Sequence, residues 1–109
     1  MIANKPSIYI YVNNPNNSIL RDVYSGIEEE GVFYEIISRE DSDLNKLVYD
    51  AANDSMLGSG IGISGDEVAF QIRGVKFGKN VQYYQCPSSE ECRSLGANSA
   101  RAVKRQSFK

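Results

Sequence analysis

The stretch Ser7–Val12, SIYIYV, decides the fold class, because nearly all of its residues are β-branched or aromatic. No charged residue interrupts it, so the strand it predicts should be buried on both faces, as in a mostly parallel sheet. The asparagine-rich stretch Asn13–Asn17 predicts a loop. A first helix follows, with Ser18 as its expected N-cap and Gly31 just past its C-terminal end. The opening of the chain therefore predicts a β-α unit.

The rest of the chain continues this alternation. A second helix with an apolar stripe is expected, with Asp41 or Ser42 as its N-cap and an end near Met56. Ser88 and Glu91 predict a capping box at the start of the last helix. The order β-α-β-α-β-β-β-α indicates a single α/β domain over residues 1–109, with helices covering a mostly parallel sheet whose later strands can run antiparallel. The later strands are expected at Val32–Ser38, Gly60–Ser64, Glu67–Arg73 and Val81–Cys86.

Composition excludes several classes of function. The 109 residues are 41% hydrophobic and 24% charged, with a net charge of −2, so no basic face for nucleic acid is expected. No apolar run is long enough to cross a membrane. Histidine is absent, which removes the commonest general base and every Ser-His or Cys-His nucleophile pair. The chain is therefore expected to be a cytoplasmic protein without a catalytic site.

Three local patterns favour structural readings. Cys86 and Cys92 match no metal-binding pattern and are interpreted as two reduced thiols. The match to G-x-G-x-x-G at Gly60–Gly65 lies in a strand and a turn, not between a strand and a helix, so it predicts close packing and a hairpin. The segment Gly78–Asn80 lacks the upstream glycine and the hydroxyl residue of a phosphate-binding loop.

The acidic run Glu28–Glu30 ends the first predicted helix. Carboxylates are unfavourable there, because the helix dipole is negative at its C-terminal end. The residues alone leave two interpretations open: a solvated acidic turn, or a carboxylate that serves an external cation or a basic partner. Mg²⁺ prefers six oxygen ligands, and the chain offers no obvious set of companions.

Two motifs resemble one protein family. Gly26–Gly31, GIEEEG, is similar to a motif of the small (β) subunit of glycerol and diol dehydratase reactivases, and Gly96–Lys104, GANSARAVK, resembles that family's closing helix. The β-α-β opening and the glycine-containing strand also correspond, so the resemblance covers nearly the whole chain. The sequence departs from the family pattern at Gly74–Asn80 and at Arg105–Phe108.

The resemblance implies a fold, a set of partners and a site. The fold would be a flavodoxin-like three-layer α/β sandwich, related to the β subunit of the dehydratase itself. The chain would be a non-catalytic subunit beside a large subunit that binds and hydrolyses ATP. Together they would release damaged cobalamin from inactivated dehydratase, as the small subunit trades places with that of the dehydratase. Glu29 matches a glutamate that reaches a Mg²⁺ ion in the large subunit. The location would be cytoplasmic, with a bacterial microcompartment as a further expectation.

Two other hypotheses remain. A stand-alone flavodoxin-like domain that binds a small molecule would need a pocket at the carboxyl ends of its strands, where Asn13, Asn14, Ser64 and Asp66 are the candidate residues. A chain that has lost its client would expose an apolar partner surface and form a homo-oligomer when isolated.

Overall fold

The structure, a computed structural model, describes residues 5–105. Within this range strands and helices follow one another in the predicted order. Their bounds are β1 Ile8–Asn13, α1 Asn17–Glu29, β2 Tyr34–Ser38, α2 Leu44–Asp54, β3 Ser59–Ser64, β4 Glu67–Ile72, β5 Gln82–Gln85 and α3 Ser89–Lys104.

The start of α1 corrects the predicted cap. Asn16, not Ser18, is the N-cap, and its side-chain oxygen accepts hydrogen bonds from the main-chain N–H groups of Ser18 and Ile19. Asn16 is also anchored from outside the helix, because its side-chain amide donates to Asp66 at 2.9 Å. Serine and asparagine cap helices about equally well, so the local sequence does not decide between Asn16 and Ser18. The contact between Asn16 and Asp66 accompanies the observed start.

The start of α2 is also corrected, whereas that of α3 is confirmed. Asp43 caps α2, in place of Asp41 or Ser42. The Asp41 carboxylate accepts from the main-chain N–H of Asp43 at 2.9 Å, so it closes the turn that precedes the helix. At α3, Ser88 and Glu91 form the predicted capping box, with both reciprocal hydrogen bonds present.

The sheet has the strand order β2-β1-β3-β4-β5. Strand β1 pairs in parallel with β2 and β3, whereas β4 runs antiparallel to both β3 and β5. Four strands thus point one way and β4 points the other. This is the flavodoxin order, 2-1-3-4-5, with one strand reversed. The predicted mostly parallel α/β fold is confirmed.

The helices complete a three-layer sandwich. The main core lies between the sheet and the pair α1 and α3, and smaller clusters lie under α2 on the opposite face. Gly60 permits the close approach of α2, because a Cβ there would lie 2.1 Å from the Ala52 nitrogen. Gly65 turns the β3–β4 hairpin with φ of 58°. The glycines of Gly60–Gly65 therefore serve packing and a turn, as predicted.

No helix within residues 5–105 is both long and apolar enough to cross a membrane.

Candidate functional site

The two motifs that resemble the reactivase family pack against each other. Gly26 on α1 and Gly96 on α3 lie where the helices cross, and each faces the main chain of the other helix. A Cβ on Gly26 would lie 2.2 Å from the Arg93 carbonyl oxygen, and one on Gly96 would lie 2.0 Å from that of Val23. Real side-chain carbons do not approach so closely. Glycine at both positions therefore fixes the distance and register between the helices.

This register places basic side chains of α3 opposite the acidic end of α1. Glu30 forms ion pairs with Arg101 at 3.3 Å and with Lys104 at 3.1 Å, and only 10% of its side chain is exposed. The Lys104 ammonium also donates to the Glu30 carbonyl oxygen at 2.7 Å. The interpretation of the acidic run as a solvated turn is therefore wrong for Glu30, because Arg101 and Lys104 of α3 cover its carboxylate. This carboxylate joins the helices and is engaged within the fold.

Glu28 belongs to a different contact. The Tyr34 hydroxyl, at the start of β2, donates to the Glu28 carboxylate at 3.1 Å. Burial, and secondly this hydrogen bond, raise the pKa of Tyr34 to about 12. The hydroxyl therefore stays protonated at neutral pH and remains a donor to Glu28.

Glu29, unlike Glu30, is an exposed carboxylate. Its side chain is 50% exposed and pairs with Arg93, which is 53% exposed, at 2.7 Å. Both line a small cavity of about 240 Å³, together with Glu90 and Ser94. An exposed ion pair of this kind contributes about 1 kcal/mol at most. Glu29 can therefore exchange Arg93 for an external cation at little cost to the fold.

Arg93 is a site residue that the sequence reasoning missed. Glu29 was identified through the family resemblance, but its intramolecular partner lies 64 positions away in the chain. A signal was available, since each motif carries a glycine inside an amphipathic helix. Paired interior glycines indicate a close helix crossing, and the acidic run at the end of one helix would then face the basic residues of the other.

The residues of the small-molecule hypothesis are largely engaged within the fold. At the carboxyl end of β1, the Asn13 amide donates to two carbonyl oxygens that follow β2, at 2.8 and 3.2 Å. Ser64, beside it on β3, donates to a carbonyl oxygen before α2 at 2.9 Å, and Asp66 accepts from Asn16 at 2.9 Å. Asn14 adopts a left-handed conformation with φ of 44°. The topology brings these polar groups to the same edge of the sheet, where their hydrogen bonds connect neighbouring loops.

The two cysteines are free thiols in different environments. Cys86 is exposed and Cys92 is buried in α3. Burial, and secondly the nearby carboxylates of Asp22 and Glu91, raise the pKa of the Cys92 thiol to about 11. No disulfide joins the two thiols in the described part of the chain, and their reduced state stays a prediction.

This difference predicts the thiol chemistry of the folded chain. At pH 8 a thiol of pKa 11 is ionised in only about one molecule in a thousand, and Cys92 is also shielded. We expect one thiol per chain to react rapidly with a chromogenic thiol reagent, and the second to react only after denaturation. In Cys86→Ser the rapid phase should disappear. Equal rates for both thiols in the folded wild type would contradict the structure.

A family model of dehydratase medium subunits matches residues 5–109. No curated protein sequence matches the chain. The matched range takes in both helix motifs and the whole sheet.

Two solved structures share the fold over nearly the full length. A chain of a diol dehydratase-reactivating factor complexed with ADP and Mg²⁺ is 25% identical, with a TM-score of 0.90 over 97% of this chain and 99% of that one. A chain of a glycerol dehydratase reactivase is 24% identical, with a TM-score of 0.91 over 96% and 97% of the two chains. The second likeness concerns the fold alone.

Proposed function

The chain belongs to the dehydratase medium subunit family, and from that premise we propose that it is the small, non-catalytic subunit of an ATP-dependent reactivase for a cobalamin-dependent glycerol or diol dehydratase. The observation that carries the proposal is the match over 97% of this chain and 99% of a chain from a diol dehydratase-reactivating factor. The partners are then a large reactivase subunit, which holds ATP or ADP, and the dehydratase.

The proposed mechanism is a competition between interfaces. The chain would replace the small subunit of an inactivated dehydratase and so open the way for damaged cobalamin to leave. Every 1.4 kcal/mol of difference between the competing interfaces moves the exchange tenfold. Nucleotide in the large subunit can change the outcome only as far as its states differ in affinity for this chain. Such a role requires a shaped surface and no reactive group, which agrees with a sequence that lacks histidine.

We assign to Glu29 the role of a ligand to Mg²⁺ shared with the large subunit. The arrangement of the carboxylates supports this choice, because Glu30 is covered by two cations, whereas Glu29 is half exposed with one exchangeable partner. Within residues 5–105 no group of three or more His, Cys, Asp or Glu side chains could hold a metal ion. The chain would therefore contribute one oxygen ligand or two, and the large subunit and water would supply the others.

Reactivation in a purified system tests the proposal. Dehydratase inactivated with damaged cobalamin bound is mixed with the large subunit, ATP and Mg²⁺, with or without this chain, and free cobalamin is measured by absorbance after filtration. We expect release to need the chain, and the dehydratase's own small subunit to appear in the displaced fraction. Equal release without the chain, for both glycerol and diol dehydratase, would contradict the proposal. The cytoplasmic location, and an association with a microcompartment, stay predictions.

A further inference from the structure

The outer edge of β2 is an unpaired strand edge. Strand β2 is terminal in the sheet and pairs only with β1 in the described part of the chain. Its sequence and flanks, Phe33–Arg39, contain neither proline nor lysine, which are two of the usual devices that keep strand edges apart. Phe33 and Ile36 are 54% and 41% exposed. The edge is therefore open to another strand.

The direction of the main-chain groups on this edge follows from the ladder with β1. The Ile8 N–H donates to the Phe33 carbonyl oxygen at 2.9 Å, and the Arg39 N–H donates to that of Val12 at 2.8 Å. The odd-numbered residues of β2 and its flanks thus point their main-chain groups toward β1. Because the direction alternates along a strand, Tyr34, Ile36 and Ser38 point theirs outward. These residues would form the hydrogen bonds with an added strand.

The side chains on the α2 face of β2 carry a self-complementary pattern. Glu35, paired in register with Tyr9 of β1, is exposed, and no ion pair engages it within residues 5–105. Ile37 packs against the cluster that contains Tyr11. The Arg39 guanidinium lies 4.6 Å from the centre of the Tyr11 ring, so it is held on this same face. Along this face of the edge the order is therefore acidic Glu35, apolar Ile37 and basic Arg39.

We propose that β2 pairs antiparallel with β2 of a second copy of this chain, with Ile37 opposite Ile37 and Glu35 opposite Arg39. A two-fold axis through Ile37 brings each Glu35 to the Arg39 of the other copy, which gives two charge pairs per dimer. Residues directly opposite in an antiparallel pair share a face and lie close enough to interact. In this register the outward main-chain groups of Ile36 meet those of Ser38, as an antiparallel ladder needs.

Charge complementarity selects this register and this partner. The neighbouring register, centred on Ile36, places Glu35 opposite Ile37 and leaves both charges of the edge without a counterpart. The interface repeats the same surface on both copies and so closes at two subunits. It is small, and interfaces of small area are weak and transient. On the proposed function, the subunit would thus cover its β2 edge reversibly when it is not bound to the large reactivase subunit.

Charge reversal tests the pairing by sedimentation equilibrium from roughly 1 µM to 1 mM, the range in which weak association is measurable. We expect the wild type to dimerise, and Glu35→Arg alone or Arg39→Glu alone to associate at least about tenfold more weakly. An equimolar mixture of the two variants should recover dimers, because each mixed pair restores both opposite charges. That recovery also shows that both variants are folded. A mixture no better than its components, or a wild type that stays monomeric at about 1 mM, would overturn the proposal.

Cysteine cross-linking tests the register in a Cys86→Ser background. Ile37→Cys places two thiols across a non-hydrogen-bonded pair, where Cα atoms lie about 4.5 Å apart, within the range for a disulfide. We expect mild oxidation to link Ile37→Cys into covalent dimers and Ile36→Cys far less. Preferential linkage through position 36 would overturn the register. A monomeric wild type whose Glu35→Arg variant loses the large reactivase subunit would assign the edge to that subunit instead.

Discussion

Replacing Gly96 with alanine is expected to destabilise the chain by about 3 kcal/mol, the upper end of the usual cost of overpacking. The new Cβ would lie 2.0 Å from the Val23 carbonyl oxygen, and a main-chain atom cannot rotate aside as a side chain can. Helix α3 would have to move away from α1 and open the core between them. For a domain of this size the melting temperature should fall by roughly 15 °C, as measured by circular dichroism.

The direction of the stability change in Gly96→Ala distinguishes the effect of helix packing from that of intrinsic helix propensity. Alanine is a better helix former than glycine by about 1 kcal/mol, so the same substitution would stabilise an exposed helix. Ser94→Ala, at a half-exposed position on the same helix, is the matched control and should change stability by less than about 0.5 kcal/mol. An unchanged or raised melting temperature for Gly96→Ala would mean that the helices do not cross at this point.

The fold was predictable to a large extent because its signals are local. The alternation of apolar runs indicated the order of strands and helices, and the β-branched stretch Ser7–Val12 indicated a strand that is largely buried. The capping box at Ser88 was readable, since both of its members lie in one short segment. The caps at Asn16 and Asp43 were missed because several neighbouring residues had equal capping ability, and contacts outside the helix accompany the observed starts.

The candidate site was predictable only in part, because it is formed by two distant segments. The resemblance singled out Glu29, but the acidic run alone could not distinguish its three members. Their roles depend on the crossing of α1 and α3, which sets Arg101 and Lys104 over Glu30 and leaves Glu29 beside Arg93. Side-chain partners separated by more than 60 positions follow from the register of packed helices, which hydrophobic periodicity does not specify.

Replacing Glu29 with alanine is expected to weaken binding to the Mg²⁺-loaded large subunit at least about 100-fold, or about 2.7 kcal/mol. The variant removes the oxygen ligand that we assign to the shared ion, and both neighbouring carboxylates already have partners within the fold. Glu30 is held by two cations and Glu28 accepts from Tyr34. The fold should be little affected, because the ion pair that is lost is half exposed and is worth about 1 kcal/mol at most. Calorimetry of binding, with melting curves of each free chain, measures both effects.

Glu28→Ala is the matched control, since it removes an exposed carboxylate from the adjacent position and should bind as the wild type does. Chelation of Mg²⁺ separates a metal ligand from a simple charge contact. Without the metal the wild type should bind the large subunit as weakly as Glu29→Ala does. Added Mg²⁺ should not strengthen binding of the variant, because the variant lacks the side chain that we assign as a ligand to the ion. If Glu29→Ala binds normally and its binding still depends on Mg²⁺, Glu29 is only the surface partner of Arg93. The proposed exchange function is tested separately, by the release of cobalamin.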